Sequence, residues 1–154
     1  MRSDPAAAVI HTLAGKTLVT AESLTGGGIG HRLTAVSGSS AVYKGGIISY
    51  TNEVKNRILG VPADILDQYG AVSEPVAKAM AEGARKLLEA DVAVSVTGLA
   101  GPTGDEFGNP VGTVFIGYAD AKKSLVKHCL FAGSREEVRN QTIQAALELV
   151  LENQ

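Results

Sequence analysis

Lys16-Thr17-Leu18-Val19-Thr20-Ala21-Glu22-Ser23-Leu24-Thr25-Gly26-Gly27-Gly28 is the stretch around which the chain is organised. The β-branched and apolar run Thr17 to Thr20 has the character of a buried strand. Beyond the glycines, Ile29, Leu33 and Val36 recur at helical spacing. Ser23 is therefore expected at a strand-to-helix turn. Glycine there lets backbone approach a ligand closely, and the free N–H groups of a new helix favour an anion or a developing oxyanion. Two readings stand side by side: a reaction centre on Ser23, with Thr25, Gly26 and Gly27 supplying contacts, or a tight turn in which Ser or Thr caps the helix.

Outward from this turn, helix and strand signals alternate. On its N-terminal side, Asp4 and Pro5 open a helix whose apolar positions are Ala6, Val9, Ile10 and Leu13, closed by Gly15. On its C-terminal side, Gly45 to Tyr50 reads as a second strand. Asn52 caps a short helix over Glu53 to Leu59, and another runs from Pro62 to Tyr69 and ends at Gly70. Ser73-Glu74-Pro75 begins a longer helix, with Val76, Met80, Ala84, Leu87 and Leu88 on one face. Asp91 to Thr97 is apolar enough for a central strand. The glycine- and proline-rich connection Gly98 to Pro110 that follows is long for a compact domain, and such loops often carry function. Val111 to Tyr118 and Ser124 to Phe131 read as a hairpin, and Ser134-Arg135-Glu136-Glu137 as the capping box of a last helix. The expected fold is an α/β domain: a three-layer α/β/α sandwich with a mixed, mostly parallel sheet and one C-terminal hairpin.

Size and composition agree with one domain spanning residues 1–154. The 154 residues are 45% hydrophobic, enough for a sizeable core. A net charge of −2 with interspersed signs argues against nucleic acid as a partner. Cys129 is the single cysteine, so neither an intrachain disulfide nor a cysteine metal cage is available. Met1 to Ala8 lacks the apolar core of a signal peptide, and no apolar run approaches the roughly 20 residues of a membrane span. A soluble, cytoplasmic protein without membrane partners is expected.

In a sheet of this kind ligands gather beyond the carboxyl ends of the strands. The loops after Thr20, after Ile48-Ser49-Tyr50 and after Val96-Thr97 are the candidates. Tyr50 ends its strand and Lys55 follows one turn into the next helix. A buried lysine beside a hydroxyl has its pKa depressed toward that of a useful base, and serine needs such a partner to act as a nucleophile. The bland alternatives are a packed strand tyrosine and a solvated lysine beside Glu53. His11, His31 and His128 show no metal-ligand spacing, and the adjacent acids Asp105-Glu106 are ordinary for a solvated loop. Neither a Walker A ending nor a dinucleotide glycine fingerprint is present. No metal and no cofactor are called for.

A set of ordered blocks carries a resemblance: Thr20-Ala21-Glu22-Ser23-Leu24-Thr25-Gly26-Gly27, Gly38-Ser39-Ser40-Ala41-Val42, Tyr50-Thr51-Asn52-Glu53-Val54-Lys55, Leu59-Gly60-Val61, Gly70-Ala71-Val72-Ser73-Glu74, Val96-Thr97-Gly98-Leu99-Ala100-Gly101-Pro102 and Pro110-Val111-Gly112-Thr113-Val114. Together they resemble the CinA C-terminal domain family over nearly the whole chain. Stand-alone, PncC-type members of that family are nicotinamide-nucleotide amidohydrolases, converting nicotinamide mononucleotide and water to nicotinate mononucleotide and ammonia. The resemblance implies Ser23 as nucleophile, Tyr50 and Lys55 as its companions, and Thr97 with Gly98 and Gly101 as substrate contacts. It implies Arg139 as a nucleotide contact, with Arg135 as second choice. Longer relatives add a domain resembling molybdopterin-binding proteins, whose activities are not expected of these residues. Leu24, where many relatives have cysteine, and the loop Thr103 to Asn109 depart from the family pattern. The rival class is a module of the same family that binds a nucleotide or other phosphorylated ligand without turnover. A homo-oligomer is the expected assembly.

Overall fold

The strand that leads into Ser23 is buried along its whole length, so it lies inside a sheet covered on both faces. The structure, a computed structural model, describes residues 4–154; Met1 to Ser3, part of the segment read above for a leader, lie outside the described residues. Six helices and five strands alternate: α1 (Pro5–Thr12), β1 (Leu18–Glu22), α2 (Gly28–Thr34), β2 (Tyr43–Ile48), α3 (Asn52–Arg57), α4 (Ala63–Tyr69), α5 (Glu74–Leu87), β3 (Val92–Gly98), β4 (Thr113–Ala119), β5 (Ser124–Leu130) and α6 (Arg135–Glu152). The sheet order is β2-β1-β3-β4-β5. β1 is parallel to β2 and to β3, while β4 is antiparallel to both β3 and β5. Four strands thus share one direction, and the hairpin supplies the exception. No helix among the described residues is long and apolar enough to cross a membrane.

Strand alternation divides the core into two layers. Leu18, Val92, Val94, Val96, Val114, Ile116 and Tyr118 face α1, α2 and α6. Val19, Ala21 and Ala93 face the opposite way, toward α4, α5 and the Leu59–Val61 segment. On that side α5 presents Ala77, Ala81 and Ala84, and it lies so close that Ser95 Oγ donates to the Ala77 carbonyl at 2.6 Å.

Element ends follow the local chemistry. Asp4 caps α1 through the Ala6 N–H, and Ser134 with Glu137 forms the capping box of α6. β1 runs to Glu22, two residues further than the β-branched run suggests, because its neighbours continue to pair with it. β2 stops at Ile48, so Tyr50 lies in the loop and does not end the strand. Thr51, rather than Asn52, caps α3, its hydroxyl accepting from the Val54 N–H. The ladder nonetheless reaches past the strand ends. Ser23 N–H donates to the Val96 carbonyl at 3.1 Å, and Ser49 N–H to the Glu22 carbonyl at 2.7 Å. Those two bonds bring the β1, β2 and β3 exits to one edge.

The close approach of α5 depends on Gly117, where a Cβ would intrude on the Ala77 carbonyl oxygen and Ser95 Oγ. Gly117→Ala is expected to lower stability by about 2 kcal/mol, measured as a shifted urea midpoint with an unchanged slope.

Candidate functional site

Ser23 is the first residue beyond β1, buried at 7% exposure, and its side chain projects to the face opposite Glu22. α3 is short and mostly solvent-facing, yet its Lys55 is 1% exposed. Its amine reaches Ser23 Oγ at 3.0 Å, the Ser49 carbonyl at 2.6 Å and the Tyr50 carbonyl at 3.3 Å. Glu53, the acid four residues before Arg57, pairs with that arginine at 3.0 Å, so the solvated Lys55 pairing does not form. Burial alone pushes the Lys55 pKa down to about 8. An ammonium has three hydrogens for these three oxygens. The neutral amine keeps two for the carbonyls and turns its lone pair to the Ser23 hydroxyl. The geometry therefore presents a serine and its base in direct contact.

The pair opens into a cavity of about 380 Å³ lined by Ser23, Leu24, Tyr50, Lys55, Val72, Thr97, Gly98, Leu99, Gly101 and Arg135 among others. Thr97 is held by donation from its hydroxyl to the Ala71 carbonyl at 2.8 Å. Gly98 has no room for a side chain, since a Cβ would crowd Val114 and the Thr113 carbonyl. The loop between Gly98 and Pro110 is organised by Asp105, whose carboxylate accepts from the Phe107 and Asn109 N–H groups and from Asn109 Nδ2. Across the mouth, Arg135 donates to the Gly101 carbonyl at 2.6 Å and reaches the Tyr50 hydroxyl at 3.4 Å. Tyr50 is 61% exposed. Its carbonyl, not its phenol, meets Lys55, so the phenol takes no place between lysine and serine. The charged side chains of the lining are Lys55 and Arg135, and no carboxylate joins them. A larger groove of about 660 Å³ lies beside α3 and α5, lined by Arg57, Ile58, Leu87 and others, but it holds no serine or cysteine beside a base.

Ser23, Tyr50, Lys55, Thr97, Gly98 and Gly101 thus come together, while four other candidates stand apart. Thr25, Gly26, Gly27 and Arg139 do not line the cavity. Thr25 donates its hydroxyl to Glu22 at 2.6 Å, and Arg139 donates to the Leu24 and Thr25 carbonyls at 2.9 and 3.2 Å. Of the amides expected to be free around the start of α2, four are engaged. Gly26 and Gly28 N–H groups bond to Ser23 and Thr25 carbonyls, and those of Ile29 and Gly30 to the Glu22 carboxylate. The Leu24, Thr25 and Gly27 N–H groups make no hydrogen bond among the described residues. Glu22 was assigned no role from sequence. A lone acid closing an otherwise uncharged buried strand is the signal that marks it.

The CinA C-terminal domain family matches residues 4–154. The chain is 50% identical over 135 residues to a CinA-like protein of Sulfurihydrogenibium sp., covering 88% of this chain and 34% of that protein. It is 48% identical over 145 residues to a CinA-like protein of Geobacter sulfurreducens, covering 94% of this chain and 35% of that one. The chain therefore spans about a third of the length of these relatives. Among solved structures, a competence-damaged protein (CinA) superfamily protein from Escherichia coli superposes with a TM-score of 0.96 at 33% identity, covering 100% of this chain and 94% of that one. A competence damage-inducible protein A from Klebsiella pneumoniae gives 0.94 at 36%, covering 96% and 93%.

Lys55 has its pKa lowered from 10.5 to about 8 in the folded chain, so between those values the unfolded chain binds more protons and stability rises with pH. Lys55→Met is expected to be more stable than the native chain at pH 7. That advantage should shrink by pH 10 by on the order of 3 kcal/mol, read from paired urea titrations. A difference that does not change with pH would contradict the burial of the charge.

Proposed function

This chain belongs to the CinA C-terminal domain family, and from that premise we propose that it is a nucleotide amidohydrolase, deamidating nicotinamide mononucleotide to nicotinate mononucleotide with Ser23 as nucleophile and Lys55 as base. The observation that carries the reading is the 3.0 Å approach of the buried Lys55 amine to Ser23 Oγ. Simple phosphate binding has no use for a desolvated amine aimed at a hydroxyl instead of at the ligand.

The neutral amine takes the Ser23 hydroxyl proton as Oγ bonds to the carboxamide carbon. The carbonyl oxygen becomes an oxyanion, and the unengaged Leu24 and Thr25 N–H groups are the donors nearest in sequence to receive it. Collapse breaks the C–N bond, and the Lys55 ammonium returns its proton to the departing nitrogen, which leaves as ammonia. Water then gives a proton to Lys55 while its oxygen attacks the acyl carbon. The ester C–O bond breaks, Ser23 Oγ regains a proton from Lys55, and the carboxylic acid product ionises to the carboxylate on release, its proton passing through water to the ammonia. Each proton moves between Ser23, Lys55, the leaving nitrogen and water. Leu24, Val72 and Leu99 offer apolar walls to a ring, and Arg135 at the mouth suits the phosphate, because a guanidinium binds phosphate oxygens in pairs. In this reading Arg135 takes the anion-contacting role expected of Arg139, and Tyr50 borders the ligand without relaying a proton.

Ammonia release from nicotinamide mononucleotide, with Ser23→Ala as control, tests the reading. Wild type should release ammonia and Ser23→Ala should release none while remaining folded. Lys55→Ala should lose about 10²- to 10⁴-fold in kcat with a far smaller change in KM. Bound nucleotide without release would favour the non-catalytic module. Since the free enzyme must hold Lys55 neutral, kcat/KM should rise with pH and level off above about 8. Arg135→Ala should raise KM by about tenfold or more with kcat largely retained; unchanged KM would remove Arg135 from the phosphate contact.

A further inference from the structure

The residue before Ser23 is the one buried acid among the described residues, and it has no part in the chemistry above. Glu22 is 2% exposed. Its Oε1 accepts from Thr25 Oγ1 at 2.6 Å and from Ile29 N–H at 2.8 Å, and its Oε2 from Gly30 N–H at 3.1 Å. Its main chain is engaged as well, since its carbonyl accepts the Ser49 N–H, and Ser49 in turn offers its own carbonyl to Lys55. On the other flank of the turn, Arg139 holds the Leu24 and Thr25 carbonyls. A trans peptide points its N–H opposite its C=O, so fixing the Leu24 carbonyl aims the Thr25 N–H away from Arg139. The backbone carrying the nucleophile is therefore clamped from both sides, by a carboxylate through Thr25 and by a guanidinium through two carbonyls.

From this arrangement we infer that Glu22 is a positioning residue. Through its bond to the Thr25 hydroxyl, it holds the Ser23–Gly26 turn in the shape that sets Ser23 Oγ on Lys55 and leaves the Leu24 and Thr25 amides free for the reacting carbonyl. The inference rests on the amidohydrolase reading for its rate measurements. Glu22 does not line the cavity, so its loss acts on the rate of the chemical step and not on substrate affinity. It also fills the start of α2 with an internal anion, which directs a substrate phosphate to Arg135 instead.

The test uses the full chain with Glu22→Gln, Thr25→Val and Thr25→Ser. Glutamine keeps an acceptor for Thr25 and Ile29 but turns an NH₂ toward the Gly30 N–H, and valine removes the clamp's hydroxyl with little change of volume. With nicotinamide mononucleotide, Thr25→Val should lose about 100-fold in kcat while KM stays within about threefold, Thr25→Ser should recover kcat to within about threefold, and Glu22→Gln, which keeps the Thr25 bond, should lose no more than about tenfold. Combining Glu22→Gln with Thr25→Val should cost little more than Thr25→Val alone, because the Thr25 hydroxyl is the route by which residue 22 acts on the turn. Native kcat in folded Thr25→Val, or a loss confined to KM, overturns the inference. If wild type releases no ammonia, the amidohydrolase reading fails by itself. The rate at which a fluorophosphonate labels Ser23, followed by mass spectrometry, then decides the positioning role. Labelling slowed by about tenfold or more in Thr25→Val supports it, and equal rates, or no labelling of wild type, overturn it.

Discussion

A lysine amine enclosed by three oxygens and no carboxylate is the constraint on which the site depends. A salt bridge would stabilise the ammonium and silence the base. Here the surroundings of Lys55 are two main-chain carbonyls and one hydroxyl. The carbonyls satisfy the amine in either protonation state, so burial can lower its pKa without leaving it unpartnered. Because Ser49 and Tyr50 supply them as backbone, the feature depends on the path of the chain after β2 and not on the identity of those side chains.

The acid that would quench this lysine is present one residue from the serine, on the other side of the strand. β alternation sends Ser23 toward Lys55 and Glu22 toward α2. There the carboxylate meets two helix N–H groups and a hydroxyl, a setting in which a buried negative charge is well accommodated. One strand end thus separates a buried carboxyl group from a buried amine. The short β1 register, locked between β2 and β3, keeps them apart.

The rest of the fold brings chain segments distant in sequence to this edge. The ladder bonds from Ser23 to Val96 and from Ser49 to Glu22 align three loops. The close seating of α5 on β3 and β4 fixes the sheet from below. α6 contributes two arginines four residues apart with different tasks: Arg139 grips the turn and Arg135 bridges the cavity mouth.

The sequence by itself determined the alternation of elements, the single hairpin, the capping box of α6 and the location of Ser23 at a strand-to-helix turn. These are written in periodicity and in capping or turn residues, which act over a few positions. Family-like blocks also singled out Tyr50, Lys55 and Thr97. The tertiary structure alone decided which groups meet. Lys55 sits on a polar, exposed helix, and nothing in its local pattern tells that it points inward. Its burial depends on a strand some thirty residues earlier. Arg135 and Arg139 are equivalent by composition, and only the position of α6 against the Ser23 turn gives one of them to the backbone and the other to the cavity. Glu22 reads as an unexplained acid until α2 is folded back over it. The physical reason is common to all three: side-chain contacts between segments far apart in the chain are set by sheet order and helix packing, which no local periodicity encodes.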